Sequence, residues 1–428
     1  MRAVGVRGGA WSAGVSAWGD VFVDGQERLR WFVAADDRWY RPSRETTVRQ
    51  REVSDVPIVE TRVKVPGGDA VQRVYGVANF GGVIVVEIYN DSTLPFAVAF
   101  DRANISSMRE PSPTGVQGID LPAGSVVFPV GHHATLRVAI VVGDGHRRLS
   151  PHELESLPSF EQVERGWLTA IGMASRVDVP DLAWAKTLTA QRCKLLLSQP
   201  CDGSASAADS AGLVDLVFDR AERVRLGDKP EQWVDDVALA TERIIKQCVK
   251  KNSAQWFDER AILSAGMLMH RAGESRAMQD IATAWSRASQ DFVNSSARAS
   301  QDFSFVQPAD VMRVDSPEIR DSVRQIAWIE SKLVAQRRDF AIEICPQGIE
   351  TSWLGVNFEC HKLLATPEHQ ISFAVRWHGE KPAVLWEIDG PVGVKVVASA
   401  LDSNFSSVDM RGETLLAGFS AEQTKILK

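Results

Sequence analysis

Apolar and polar residues alternate with a period of two over the first third of the chain, lose that period in the middle, and recover it near the end. In the first stretch, Val21-Phe22-Val23 and Leu29 to Ala34 flank Asp24-Gly25. Asp-Gly supplies the positive φ angles of a tight type I′ turn, so the spacing predicts a hairpin. A second hairpin is predicted from Ile58 to Val65 and Ala70 to Val77 around Pro66-Gly67-Gly68-Asp69, with Val83 to Tyr89 continuing the meander up to Asn90-Asp91-Ser92. Phe96 to Phe100, Val126 to Val130 and Thr135 to Val142 complete about eight to ten short strands, spaced as a sandwich rather than as alternating β and α units.

From Ser150-Pro151-His152-Glu153, which has the residue types of a capped helix start, apolar residues recur at three and four positions. Phe160, Val163, Trp167 and Ile171 form one such stripe; Leu182, Ala185, Leu188, Cys193 and Leu196 belong to the next helix. Further amphipathic helices are predicted near 208–226, 230–250, 258–272, 274–290 and 317–336. Period two returns after Phe340, where Ile371, Phe373, Val375 and Trp377 alternate with Ser372, Ala374, Arg376 and His378. Turns at Gly379 to Pro382 and at Asp389-Gly390 lead into Val384 to Ile388 and Val392 to Val397, and Arg376 and Glu387 are expected to pair across facing strands. The predicted fold is therefore α+β and multidomain: an antiparallel β-sandwich over 1–148, a helical domain over 149–337 and a C-terminal β domain over 338–428. Residues 288–292 and 299–303 both read Ala-Ser-Gln-Asp-Phe, which is read as a local duplication in a Ser- and Asn-rich stretch.

Charge narrows the partners. The 428 residues carry 48 Lys+Arg against 55 Asp+Glu, a net charge of −7, with no basic block, which argues against duplex nucleic acid. No apolar run reaches the roughly 18 residues of a membrane helix and the N-terminus lacks a secretory pattern, so no membrane partner and a cytoplasmic location are expected. Cys193, Cys201, Cys248, Cys345 and Cys360 fit neither a disulfide framework nor paired zinc ligands and are expected as buried thiols. Cys360-His361 beside Glu359 lacks a second histidine pair to complete a metal set, so no metal is expected. Nucleotide fingerprints, nucleophile elbows and His-Glu-x-x-His are absent, so no cofactor is expected.

Trp167-Leu-Thr-Ala-Ile-Gly-Met, followed by Val179-Pro-Asp-Leu and Gln191-Arg-Cys-Lys-Leu-Leu-Leu, resembles the stretch entering the first toroid helix of the six-hairpin, (α/α)6-toroid glycosidase superfamily. Pro346-Gln-Gly-Ile-Glu-Thr-Ser-Trp353-Leu-Gly, Phe373-Ala-Val-Arg-Trp377-His-Gly and Leu385-Trp386-Glu387 are similar to the β tail that closes such chains. The resemblance implies a carbohydrate-linked fold with a shortened toroid, six or seven helices standing where a full ring has twelve. Two functions follow as expectations: a glycoside hydrolase-like protein that acts on or binds a carbohydrate, or a non-catalytic structural or protein-interaction scaffold.

Glycoside hydrolysis needs two carboxylates across a cleft. Asp258 and Glu259, at the junction where Trp256-Phe257 enters a helix, are the catalytic candidates; Asp258 as an N-cap and Glu259 in the first turn, where it suits the helix dipole, are by themselves a sufficient account of both. Asp36-Asp37 ahead of Trp39-Tyr40 is read as a solvated turn, because neighbouring strand residues point to opposite faces. Thirteen tryptophans against three tyrosines bear on sugar binding, since an indole face stacks on a sugar ring while its N–H bonds a hydroxyl. Trp167, Trp184, Trp233, Trp285 and Trp328 fall on apolar helix stripes and are read as core; Trp39, Trp256 and Trp353 sit among polar neighbours and are the substrate-binding candidates.

Overall fold

The computed structural model describes residues 1–36, 38–112, 124–143, 147–200, 210–296 and 322–417. They form an α+β protein with antiparallel sheets at the N-terminal end, helices in the middle and strands at the C-terminal end. Eight α-helices are described: α1 (Pro151–Glu155), α2 (Phe160–Ile171), α3 (Leu182–Leu197), α4 (Ser210–Arg225), α5 (Val234–Lys251), α6 (Trp256–Arg271), α7 (Ser275–Ser296) and α8 (Arg324–Leu333). The chain divides into two compact units, Met1–Thr169 with Leu196–Gln199, and Ala170–Leu195 with Pro200–Lys428. None of the described helices is long and apolar enough to cross a membrane.

In the first unit, a four-stranded sheet (Val126–Val130, Phe96–Phe100, Trp31–Ala35, Arg38–Tyr40 in spatial order) and a six-stranded sheet built on Val83–Ser92, Gly68–Val77 and Ile58–Val65 contribute inward side chains to one core. Trp31, Val33, Phe100 and Phe128 from the first meet Val63, Val74, Val86 and Leu136 from the second, the alternation expected of sandwich-like layers. The outward face of the six-stranded sheet carries a cross-strand row of alternating charge. Arg51, Glu60, Arg73, Glu87 and Arg137 stand opposite one another on five successive strands, with Glu60 bonded by both Arg51 and Arg73.

The turn predicted at Asp24-Gly25 forms, with Gly25 at φ 72°, but the hairpin does not extend from it. Val21–Val23 joins a three-stranded sheet with Ser12–Val15, whereas Trp31–Ala35 pairs with Phe96–Phe100; a single bridge, Val21 to Leu29, links the two arms. A turn signal fixes local φ, while the partner of the following strand is chosen by burial of Trp31 and Val33 against Val98 and Phe100.

Gly76 permits a close crossing. A Cβ there would lie 2.7 Å from the carbonyl oxygen of Gly5, so the strand Arg2–Gly5 lies against Gly68–Val77 only because residue 76 has no side chain. Gly76→Ala is expected to cost about 1–3 kcal/mol through overpacking, read as a lower urea midpoint with an unchanged slope.

In the second unit the helices and the C-terminal strands share one core: Val217, Ile244, Leu268 and Trp328 pack with Ile344, Phe373 and Val384. α5 shows the reason in its buried positions, Val237, Ala240, Thr241, Ile244 and Cys248, spaced at three and four residues. α6 is central, packed against α4, α5, α7 and α8, and from Arg260 to Met269 every residue except Leu263 is buried. The hairpin Gln370–His378 with Lys381–Asp389 forms as predicted. After Asp389-Gly390, however, Val396–Ala398 leaves for a second sheet and runs parallel to Ile342–Ile344.

Arg376 and Glu387 do not pair. The hairpin register sets Ala383 opposite Arg376 and Ser372 opposite Glu387, and Arg376 instead donates to Glu359 at 2.6 Å from its other neighbouring strand. Arg376 and His361 hydrogen bond to Glu359 and hold its carboxyl down at about 2. Cys360 turns the opposite way into the core, as strand alternation requires. The four described cysteines, Cys193, Cys248, Cys345 and Cys360, are buried; Cys201 and the second Ala-Ser-Gln-Asp-Phe copy lie outside the described residues.

Candidate functional site

The second unit carries a groove of about 760 Å³. One wall is α6, through Trp256, Glu259, Ile262 and Leu263; another is α7, through Met278, Ile281, Trp285 and Ser289. The turn 337–340 and the loops 366–369 and 391–395 close the remaining sides. Its volume lies in the range of small-molecule sites, and an apolar floor with a few polar groups is their usual composition.

Local chemistry fixes each wall. At the start of α6, Asp258 accepts from the backbone N–H of Gln255 at 2.9 Å while the Gln255 side chain accepts from the backbone N–H of Asp258. Asp258 is thus the third residue of the helix and the second half of a capping box, with Gln255 as the N-cap. The two loops are clipped together by His369, whose Nδ1 lies 2.7 Å from Thr366 Oγ1 and whose Nε2 lies 2.8 Å from the Pro391 carbonyl oxygen. Gly390 makes this approach possible: at φ 145°, a Cβ would stand 2.6 Å from both Glu368 O and the His369 ring. Two large apolar side chains stand out at the rim, Phe340 at 68% exposure and Val392 at 86%.

A fully buried charge network lies beside the groove. Glu330 of α8 accepts from Arg225 at 2.7 and 3.1 Å, from Arg260 at 2.7 Å and from Ser175 Oγ at 2.6 Å. Glu222 accepts from Arg192 at 2.6 Å and from Arg225 at 2.8 Å. Burial alone would raise the Glu330 carboxyl; Arg225, Arg260 and Arg192 override it and hold it at about 2. Glu330 is thereby kept ionised and cannot serve as a proton donor near neutral pH. Arg260 belongs to both places, since it also lines the groove.

The candidate residues fall in different places. Trp256 and Glu259 come together in the groove, and Trp256 Nε1 is buried with no partner among the described residues. Asp258 does not line the groove; its carboxylate is held in the capping box beside Cys248, whose thiol is pushed up to about 12 by burial and by Asp258. Trp353 is in the core of the second unit, edge-on to Trp184 at 5.0 Å and to Phe358 at 5.4 Å. Trp39 is buried in the first unit against Ala99 and Val127. Asp36 occupies a positive-φ turn, and Asp37 lies outside the described residues.

Sequence reading passes over two features of this region. Trp285, assigned to a core stripe, is half-buried and lines the groove; its small neighbours Ala282, Ser286 and Ser289 are the signal that no bulky element covers that part of α7. Glu330 was detectable as a carboxylate four residues after Ile326 and three before Leu333, on an apolar stripe. No protein-family model matches the chain, and no curated protein sequence matches it.

Proposed function

We propose that the groove binds a saccharide and that the chain is a carbohydrate-binding relative of the six-hairpin glycosidases. One observation carries this reading: two indoles, Trp256 and Trp285, line a single groove of about 760 Å³ together with serine, glutamine and charged side chains. An indole face takes the apolar side of a sugar ring, and the serine, glutamine and charged side chains that line the same groove supply partners for its hydroxyls. Binding without turnover is favoured because Asp258 does not line the groove, which leaves Glu259 without the second carboxylate assigned to it. The other carboxylates of the groove are Asp339, ion-paired with Arg337 at 3.3 Å, and Glu368, 3.9 Å from His270 Nδ1.

The test is a glycan array followed by calorimetry on the strongest hit, with chromogenic glycosides run in parallel. Trp285→Ala is expected to weaken binding at least about tenfold, or about 1.4 kcal/mol, with little change in melting temperature because the ring is half-buried. Glu259→Gln is expected to leave binding within a few-fold. Glycoside turnover by the wild type that Glu259→Gln abolishes would restore the hydrolase reading; an array with no hit would remove the carbohydrate. The scaffold alternative rests on Phe340 and Val392, whose exposed side chains at the rim suit an apolar peptide segment.

A further inference from the structure

The loops 366–369 and 391–395 meet at one side chain of the groove wall, and its hydrogen bonds fix its protonation state. His369 is 9% exposed. Its Nε2 lies 2.8 Å from the Pro391 carbonyl oxygen, which can only accept, so Nε2 carries a hydrogen and donates. Its Nδ1 lies 2.7 Å from Thr366 Oγ1. That oxygen already accepts from the backbone N–H of Glu368 at 3.2 Å and of His369 at 3.1 Å. A hydroxyl accepts through two lone pairs and donates through one hydrogen, so the Thr366 hydroxyl donates and Nδ1 accepts. The full set of bonds is made by the neutral imidazole with its hydrogen on Nε2.

Protonation sets two donors face to face. An Nδ1–H would point at a hydroxyl oxygen whose lone pairs are both in use, so either the ring or the two backbone N–H groups must leave it. The seat is tight on both sides: a Cβ at Gly390 would stand 2.6 Å from the His369 ring, and one at Gly266 of α6 would stand 2.9 Å from Pro367. Among the described residues, the bond from His369 Nε2 to the Pro391 carbonyl is the one hydrogen bond that holds residues 390–394. The charged groups on the elements that meet at His369 are Glu368 on its own loop, Asp389 and Lys395 at the ends of the facing segment, and Arg260, His270 and Arg271 on α6. Glu368 lies 3.9 Å from His270 Nδ1, Arg260 donates to Glu330 and to the Leu364 carbonyl, and Arg271 donates to the Val224 carbonyl.

We propose that His369 is a pH-sensitive latch on the groove. Neutral, it ties the segment 391–395 to the turn 366–369 and holds that wall in place; protonated, it releases the wall and the groove loses its ligand. The consequence for binding rests on the saccharide assignment of the groove, whereas the latch itself does not. Histidine is the side chain that changes charge between about pH 8 and pH 5, so the wall is held at the upper end of that range and released at the lower end. Glu330 and Glu359 do not titrate there, because both carboxyls are held at about 2. His270, the neighbouring histidine on α6, serves as the control.

Hydrogen–deuterium exchange of the full chain, with no ligand added, tests the latch. The backbone N–H groups of Ala365, Thr366, Glu368 and His369 are all hydrogen-bonded within the turn. After correction for the intrinsic rate at each pH, the peptide covering them is expected to exchange at least about tenfold faster at about pH 5.5 than at about pH 7.5. Equal protection at the two values overturns the proposal. His369→Gln removes the titrating ring and is expected to exchange fast at both values, whereas His270→Gln should keep the wild-type step. A step that survives in His369→Gln, or vanishes in His270→Gln, overturns the proposal; should His369→Gln not fold, the wild-type and His270→Gln measurements still decide. The glycan array repeated at the two pH values reads the consequence: wild-type signals should fall at least about tenfold at the lower one, and equal signals overturn the release of the groove. An array with no hit at either pH removes the saccharide alone, and the exchange result then decides the latch.

Discussion

Glu330→Ala is expected to destabilise the second unit by about 3–5 kcal/mol, among the largest effects of any single substitution in this chain. The carboxylate carries four hydrogen bonds from three side chains, Arg225, Arg260 and Ser175, and is 1% exposed. Among the described residues, its removal leaves the three buried guanidinium groups of Arg192, Arg225 and Arg260 with Glu222 as the remaining carboxylate of the network. Glu330→Gln preserves shape and some accepting capacity and should fall between wild type and alanine. Arg225 and Glu330 substitutions are expected to be strongly non-additive in a double-mutant cycle, because either single change strands the other partner. Urea unfolding followed by tryptophan fluorescence reads all of these.

The same carboxylate sets an acid limit. Its folded value of about 2 lies below the usual 4.5, so its contribution to stability is present above pH 4.5 and is lost as the pH falls from there towards 2. Glu359, also held at about 2, titrates in the same window, but its exposed setting makes its share small. Wild type is therefore expected to lose stability steeply below pH 4.5, whereas Glu330→Gln should show a flatter acid limb. An equal slope in both proteins would contradict the assignment.

The second large effect is expected at Trp353. Its ring is 4% exposed and edge-on to both Trp184 and Phe358, so Trp353→Ala removes a large buried side chain from a packed aromatic cluster and should cost about 3–5 kcal/mol. Trp353→Phe should recover much of that loss. Saccharide affinity should be unchanged in the phenylalanine variant, because the groove does not include this ring. A binding defect there with normal stability would return Trp353 to the ligand site.

How much of this was legible depends on the kind of signal. Helix starts were readable where a local hydrogen bond fixes them: Ser150 and Glu153 form a capping box at α1, as their spacing predicts. Asp258 was readable as a helix-start residue, but not as the third position, because the N-cap is the less typical Gln255. The groove was legible only in part. Trp256 and Glu259 were found because they flank a helix start; Trp285 was not, because a half-buried ring and a core ring share one periodicity.

By itself, the sequence determined where the chain alternates with period two, where it turns with period 3.6, and hence the order of strands, helices and strands. Periodicity specifies which face of an element is apolar and says nothing about which element covers it. The tertiary structure alone decided that Trp31–Ala35 leaves its hairpin for Phe96–Phe100, and that Arg376 bonds Glu359 rather than Glu387. It also decided that Ser175 and Glu330, 155 residues apart, meet in one buried network. Each of these is a choice among distant partners, made by the burial and charge pairing that only the assembled core provides.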